Sequence, residues 1–176
     1  MERALQRECG YDGGLPYLDF TNQSVPRCLE RRFDPTKALP ILTDANIAQH
    51  IRDGVDAATF APNLETLPQP IHSAIHDLIS GLQEDVAVSP GDPMFFLIHC
   101  FLDLIWAIWQ SLDYNSRTYD LAPSEAWAPE RQQLKRLPPP QVSLGTPLPM
   151  TAAFPNSVRV QDVMSTFAGA NCYMFV

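Results

Sequence analysis

The sequence predicts a mainly α-helical domain with long proline-rich loops and a short β-like segment near its C-terminal end. Three observations predict it. Apolar residues at Ile71, Ala74, Ile75, Leu78, Ile79 and Leu82 recur at helical spacing. Residues 93–111 are almost continuously apolar and follow Asp92-Pro93, an N-cap and first-turn pair that opens helices. Seventeen prolines are spread through the chain and crowd its last third, where they forbid long regular elements.

Taken in order, residues 1–9 read as the tail of an amphipathic helix, broken by Gly10 and the pair Gly13-Gly14. Residues 15–43 carry Pro16, Pro26, Pro35 and Pro40 and read as irregular. Asp44 is the expected N-cap of a short helix through Asp53, closed by Gly54. Residues 55–70 read as loop. Helices are expected over about 70–83 and 93–111, separated by the Ser89-Pro90-Gly91-Asp92-Pro93 loop. Residues 114–176 read as loop-rich, with one helix near 124–136, a β-like run Val158-Arg159-Val160 and an apolar terminus around Tyr173 and Phe175. No internal repeat is present, and 176 residues suit one domain.

Composition narrows the function classes. Hydrophobic residues make up 45% and charged residues 18%, a globular balance. A net charge of −8 argues against nucleic acid and anionic membrane surfaces as partners. The four cysteines, Cys9, Cys28, Cys100 and Cys172, contain no CxxC pair and resemble neither a disulfide framework nor a zinc ribbon. The charged start, Met1 to Glu8, has no apolar signal-peptide core, which favours an intracellular setting. The apolar run Met94–Trp109 is shorter than the roughly 20 residues of a spanning helix and carries His99 and Asp103 near its middle. A buried helix and no membrane are therefore expected.

The chemistry lies in the histidines. His72 and His76 stand four residues apart, so a helix projects both imidazoles from one face, at the edge of the apolar stripe. His99 sits inside the apolar helix, where a buried imidazole needs partners. Two ligands from one helix and one from a neighbour would gather a three-histidine metal site. Spacing alone leaves copper, zinc, iron and nickel open, and a metal-free histidine pair is the common reading of a lone HxxxH. Asp103, one turn after His99, is the candidate for orienting a ligand ring, against a role satisfying backbone or an arginine. His50 reads as an ordinary exposed helix residue, Cys100 as a small buried hydrophobe, and Trp106 and Trp109 as core.

The flanking residues narrow these choices. Asp92-Pro93-Met94-Phe95, followed by His99 and then by Asp103, Trp106, Trp109 and Gln110, resembles the second copper-binding motif of the tyrosinase and polyphenol oxidase family. There Asp-Pro-x-Phe precedes the third histidine ligand and Asp-x-x-Trp-x-x-Trp-Gln comes after it. His72 and His76 match the other two ligands of that copper. Leu15-Pro16-Tyr17-Leu18-Asp19-Phe20, after Glu8-Cys9-Gly10-Tyr11, is similar to the family's Pro-Tyr-Trp-Asp-Trp segment. Val160–Met164 and Cys172–Phe175 resemble the strand and tyrosine closure that end its catalytic domain.

The resemblance implies part of a type-3 copper four-helix bundle, with copper as cofactor and His72, His76 and His99 as its ligands. Such proteins hold two coppers, each on three histidines. They oxidise phenols or catechols to quinones with dioxygen. This chain has four histidines and therefore the second of the two sites. Residues 2–8 resemble the stretch just after the family's first copper motif, so residues 1–176 are expected to be a tyrosinase-like copper domain truncated at its N-terminus. Such a chain would need a partner chain or a second copy to complete the bundle. The alternatives are a mononuclear copper- or zinc-binding protein and a non-catalytic remnant. Ser73, Ile98, Leu18 and Phe20 depart from the family pattern, Ser73 at a position tied to handling the phenolic proton. Glu65 falls where the family often carries a carboxylate that holds a water near the metal, but at another spacing, so a surface loop is expected there.

Overall fold

A computed structural model describes residues 10, 42–65, 70–122, 141–148, 158–168 and 173–175. The expected helices at 1–9 and 124–136 and nearly all of the 15–43 segment lie outside the described residues. Within them the chain is mainly helical: α1 is Asp44–Asp53, α2 Ala57–Glu65, α3 Ile71–Ile79, α4 Met94–Ser111 and α5 Tyr114–Arg117.

Helix α1 starts where the sequence indicated, with the cap one residue earlier. The side chain of Thr43 accepts from the Asn46 N–H at 3.3 Å, and Asp44 contributes a favourable negative charge in the first turn. Gly54 closes the helix as expected, its N–H donating to the His50 carbonyl. This glycine is also required by packing: a Cβ there would lie 2.7 Å from the Cβ of Phe60.

The expectation of a loop over 55–70 is overturned, because residues 57–65 form α2. Pro62 sits inside that helix and removes one of its hydrogen bonds. Burial outweighs the loss. Ala57, Phe60, Ala61 and Leu64 follow the i, i+3, i+4, i+7 rule and are all buried, each large side chain contributing about 1.5–3 kcal/mol.

Helix α3 buries Ile71, Ala74, Ile75, Leu78 and Ile79 as the periodicity predicts, but ends earlier than residue 83. Ser80 takes φ +64° and Gly81 comes next with the same φ, so the chain turns sharply and resumes as a 3-10 turn over Gly81–Glu84. A second 3-10 turn, Ser89–Gly91, leads to α4. Here the Asp92 carboxylate accepts from the Met94 N–H at 3.0 Å, and Pro93 is already helical at φ −52° and ψ −28°.

Helix α4 supplies one wall of the core through Met94, Ile98, Phe101, Ile105 and Trp109. It is 18 residues long, so by length and composition it does reach what crossing a membrane requires, which the shorter run Met94–Trp109 had not suggested. Trp109 is fully buried, stacks on Phe60 at 4.5 Å and donates its indole N–H to the Gly54 carbonyl at 2.5 Å. The Arg117 guanidinium lies over the indole, 4.8 Å from the ring centre. These contacts tie the α1–α2 corner to α4 and α5. Helix α1 packs against α2 and α4, α2 against α3, and α3 against α4, so four helices enclose one core.

Beyond α5 the described chain is irregular apart from a minimal antiparallel ladder. Strand β1, Pro147–Leu148, pairs with β2, Val158–Arg159, in the register Pro147 to Arg159 and Leu148 to Val158. The β-like run is thus real but ends at Arg159, since Val160 begins a 3-10 turn.

Candidate metal centre

Helix α3 presents His72 and His76 one turn apart, and α4 brings His99 against them. Local rules account for this. Both α3 histidines flank buried isoleucines, Ile71 and Ile75, so their rings lie at the boundary of the core. His99 comes directly after the fully buried Ile98, which serves as core. All three histidines are part-buried. Their ring centroids are 4.8 Å (His72–His76), 5.1 Å (His72–His99) and 5.5 Å (His76–His99) apart.

Each ring is held by its Nδ1. In His76 this atom donates to the Gln83 carbonyl at 2.9 Å, and in His99 to the Phe95 carbonyl at 2.7 Å. In His72 it donates to the Glu65 carboxylate, with the two oxygens at 3.0 and 2.9 Å. Carbonyls and carboxylates only accept, so Nδ1 carries a proton in every ring, and a neutral ring so protonated has its lone pair on Nε2. The Nε2 atoms of His72 and His76 face each other at 3.1 Å, and one donor atom from each of the three histidines lies within 4.8 Å of the others. Facing lone pairs repel unless a cation lies between them. Two imidazoles bound tetrahedrally about 2.0–2.1 Å from one metal have nitrogens roughly 3.3–3.4 Å apart, close to the spacing of this pair. Among the described residues this is the only group of three such side chains able to hold a metal ion.

Electrostatics favour the same state. Burial lowers the pKa of His76, and the neighbouring His72 ring lowers it further, against the opposing hydrogen bond to Gln83. Burial likewise lowers His99. Neutral imidazoles are what a metal requires. Phe95 stacks on His99 with centroids 3.8 Å apart, closing one side of the site with an apolar face.

Asp103 makes its contact with the C-terminal segment. Its carboxylate accepts a hydrogen bond from the hydroxyl of Tyr173, joining the C-terminal segment to α4, while all three Nδ1 atoms have other partners. Burial raises the pKa of Asp103 and, with the bond to Asp103, that of Tyr173. Glu65 is corrected from surface loop to the last residue of α2 and a partner of His72. Its one sequence signal was its place seven residues ahead of the HxxxH pair. Gln83 acts through its backbone, which no side-chain pattern announces. His50 lies on α1 and is part-buried rather than exposed, and Ser73 is exposed.

The comparisons with known proteins bear on this geometry. A model of the common central domain of tyrosinase matches residues 22–112, which contain all three histidines and the helices that carry them. The chain belongs to the tyrosinase family. Tyrosinase P of Aspergillus terreus is 25% identical over 94% of this chain and 45% of its own length. Tyrosinase-like protein orsC of Emericella nidulans is 50% identical over 28% of this chain and 14% of its own. Hemocyanin 1 of Megathura crenulata is 28% identical over 69% of this chain and 5% of its own. The chain therefore spans less than half the length of each of these tyrosinase-family relatives. Copper is the metal of this copper oxidoreductase family, and the three-histidine group is of the kind that holds it.

Proposed function

We propose that His72, His76 and His99 bind one copper ion through their Nε2 atoms, and that this chain supplies one of the two copper sites of a tyrosinase-type oxidase. The observation that carries the reading is the arrangement of the three rings: every Nδ1 is engaged, the Nε2 atoms of His72 and His76 face each other at 3.1 Å, and one ring nitrogen from each of the three histidines lies within 4.8 Å of the others. Copper bound there would supply the redox chemistry with dioxygen. The chain's own contribution is to hold the three imidazoles by their Nδ1 atoms and to stack Phe95 on His99. The substrates of this reading are phenols or catechols, oxidised to quinones. With four histidines the chain builds one such site, so the second copper comes from outside these 176 residues, whether from a partner chain, a second copy or further sequence.

Copper analysis and titration of the purified chain test this. One copper per chain, lost in a His99→Ala variant, is the expected result. Two coppers per chain overturn the half-site reading, and none overturns the copper reading. The histidine count also supports a second reading, a mononuclear copper or zinc protein. Catechol oxidation by the copper-loaded chain that appears on adding a second three-histidine partner favours the first. Metal bound with no oxidation under either condition favours the second, and a non-catalytic remnant is left if no metal binds.

A further inference from the structure

We infer that Glu65 is a positioning residue for the metal: its carboxylate fixes the His72 ring, makes it the strongest donor of the three and biases the site toward cupric copper. The inference rests on the copper reading above and deepens it. Two independent observations carry it. The first is asymmetry. His76 and His99 donate Nδ1–H to neutral backbone carbonyls, whereas His72 donates to a carboxylate whose two oxygens both lie within 3.0 Å. A charged acceptor draws the Nδ1 proton more strongly, which raises the electron density at Nε2 and with it the basicity of the ligand.

The second observation is the cost of the position. Glu65 is the last residue of α2, where the carbonyl end of the helix dipole disfavours an acid. No basic residue stands in that last turn to offset it. The partner that compensates is His72 on the next helix, seven residues on. The carboxylate reaches the ring itself. A negative charge one imidazole away from the metal stabilises the more highly charged ion more, so cupric copper gains over cuprous copper.

The test compares wild type, Glu65→Gln and Glu65→Ala as metal-free full-length chains. Cupric and cuprous affinities are measured separately by competition with chelators of known affinity. Glutamine keeps an acceptor oxygen and removes the charge. Its expected effect is a cupric affinity lower by about tenfold, a smaller loss for cuprous copper and an unchanged thermal midpoint without metal. Alanine is expected to lose between about tenfold and 100-fold in cupric affinity. Equal cupric affinity in all three proteins overturns the inference. So does an equal loss for both copper states accompanied by a lower metal-free midpoint, which is the signature of a merely structural role. If the wild-type chain binds copper and Glu65→Gln does not differ from it, this inference alone fails. If the wild-type chain binds no copper, the copper reading fails and takes the inference with it.

Discussion

His76 and His99 give up their protons at lower pH than a free imidazole because burial penalises the charged ring. As pH falls below about 6.5, the unfolded chain therefore takes up protons before the folded one. Their contribution to stability is fully present above the unfolded pKa and is lost as pH falls through the lowered folded values. Denaturant unfolding of the metal-free chain should show a midpoint that declines from about pH 8 to about pH 5, and less so in a His76→Gln variant. A midpoint flat across that interval contradicts the assignment. Asp103 acts with the opposite sign, since its folded pKa is raised, and its contribution fades as pH climbs from the usual carboxylate range. Replacing it with asparagine keeps an acceptor for Tyr173 and removes the buried charge, so at neutral pH the denaturant midpoint should be unchanged or higher. Alanine leaves the Tyr173 hydroxyl without that acceptor and should cost about 1–3 kcal/mol.

The corner between α1 and α2 is set by one close approach. Gly54 ends α1 at a point where a methyl group would press on the Cβ and Cα of Phe60, 2.7 and 3.0 Å away. Gly54→Ala should therefore destabilise the chain by about 1–3 kcal/mol, read as a lower denaturant midpoint, although the φ of −75° suits alanine. Trp109→Ala should cost more, about 3–5 kcal/mol, because it removes a fully buried ring together with its bond to Gly54. Helices α1, α3 and α4 were legible from the sequence because caps and apolar spacing agreed there. Helix α2 was not, because Pro62 is a strong local breaker and only the packing of Phe60 and Leu64 overrides it. The three histidines were legible for the same reason as their helices. Their acceptors were less so: two are backbone carbonyls, at Gln83 and Phe95, and the third, Glu65, belongs to the helix that Pro62 concealed.

For the molecule as a whole, copper should act as a stabilising ligand. One site occupied at 100 times its dissociation constant adds about 2.7 kcal/mol, provided the unfolded chain binds copper weakly. Thermal unfolding with and without cupric ion checks this, and the rise should vanish in His99→Ala. The sharp turn at Ser80 and Gly81 adds a further consequence. It folds the chain back so that Gln83 meets His76, and all three ring contacts close within four to seven residues of sequence. Contacts this local form early in folding, because little chain must be ordered to close them. The Tyr173–Asp103 link spans 70 residues and forms late. In refolding experiments the chain should thus acquire the ability to capture metal before its C-terminal segment docks, so that copper can act as a folding template rather than a late addition.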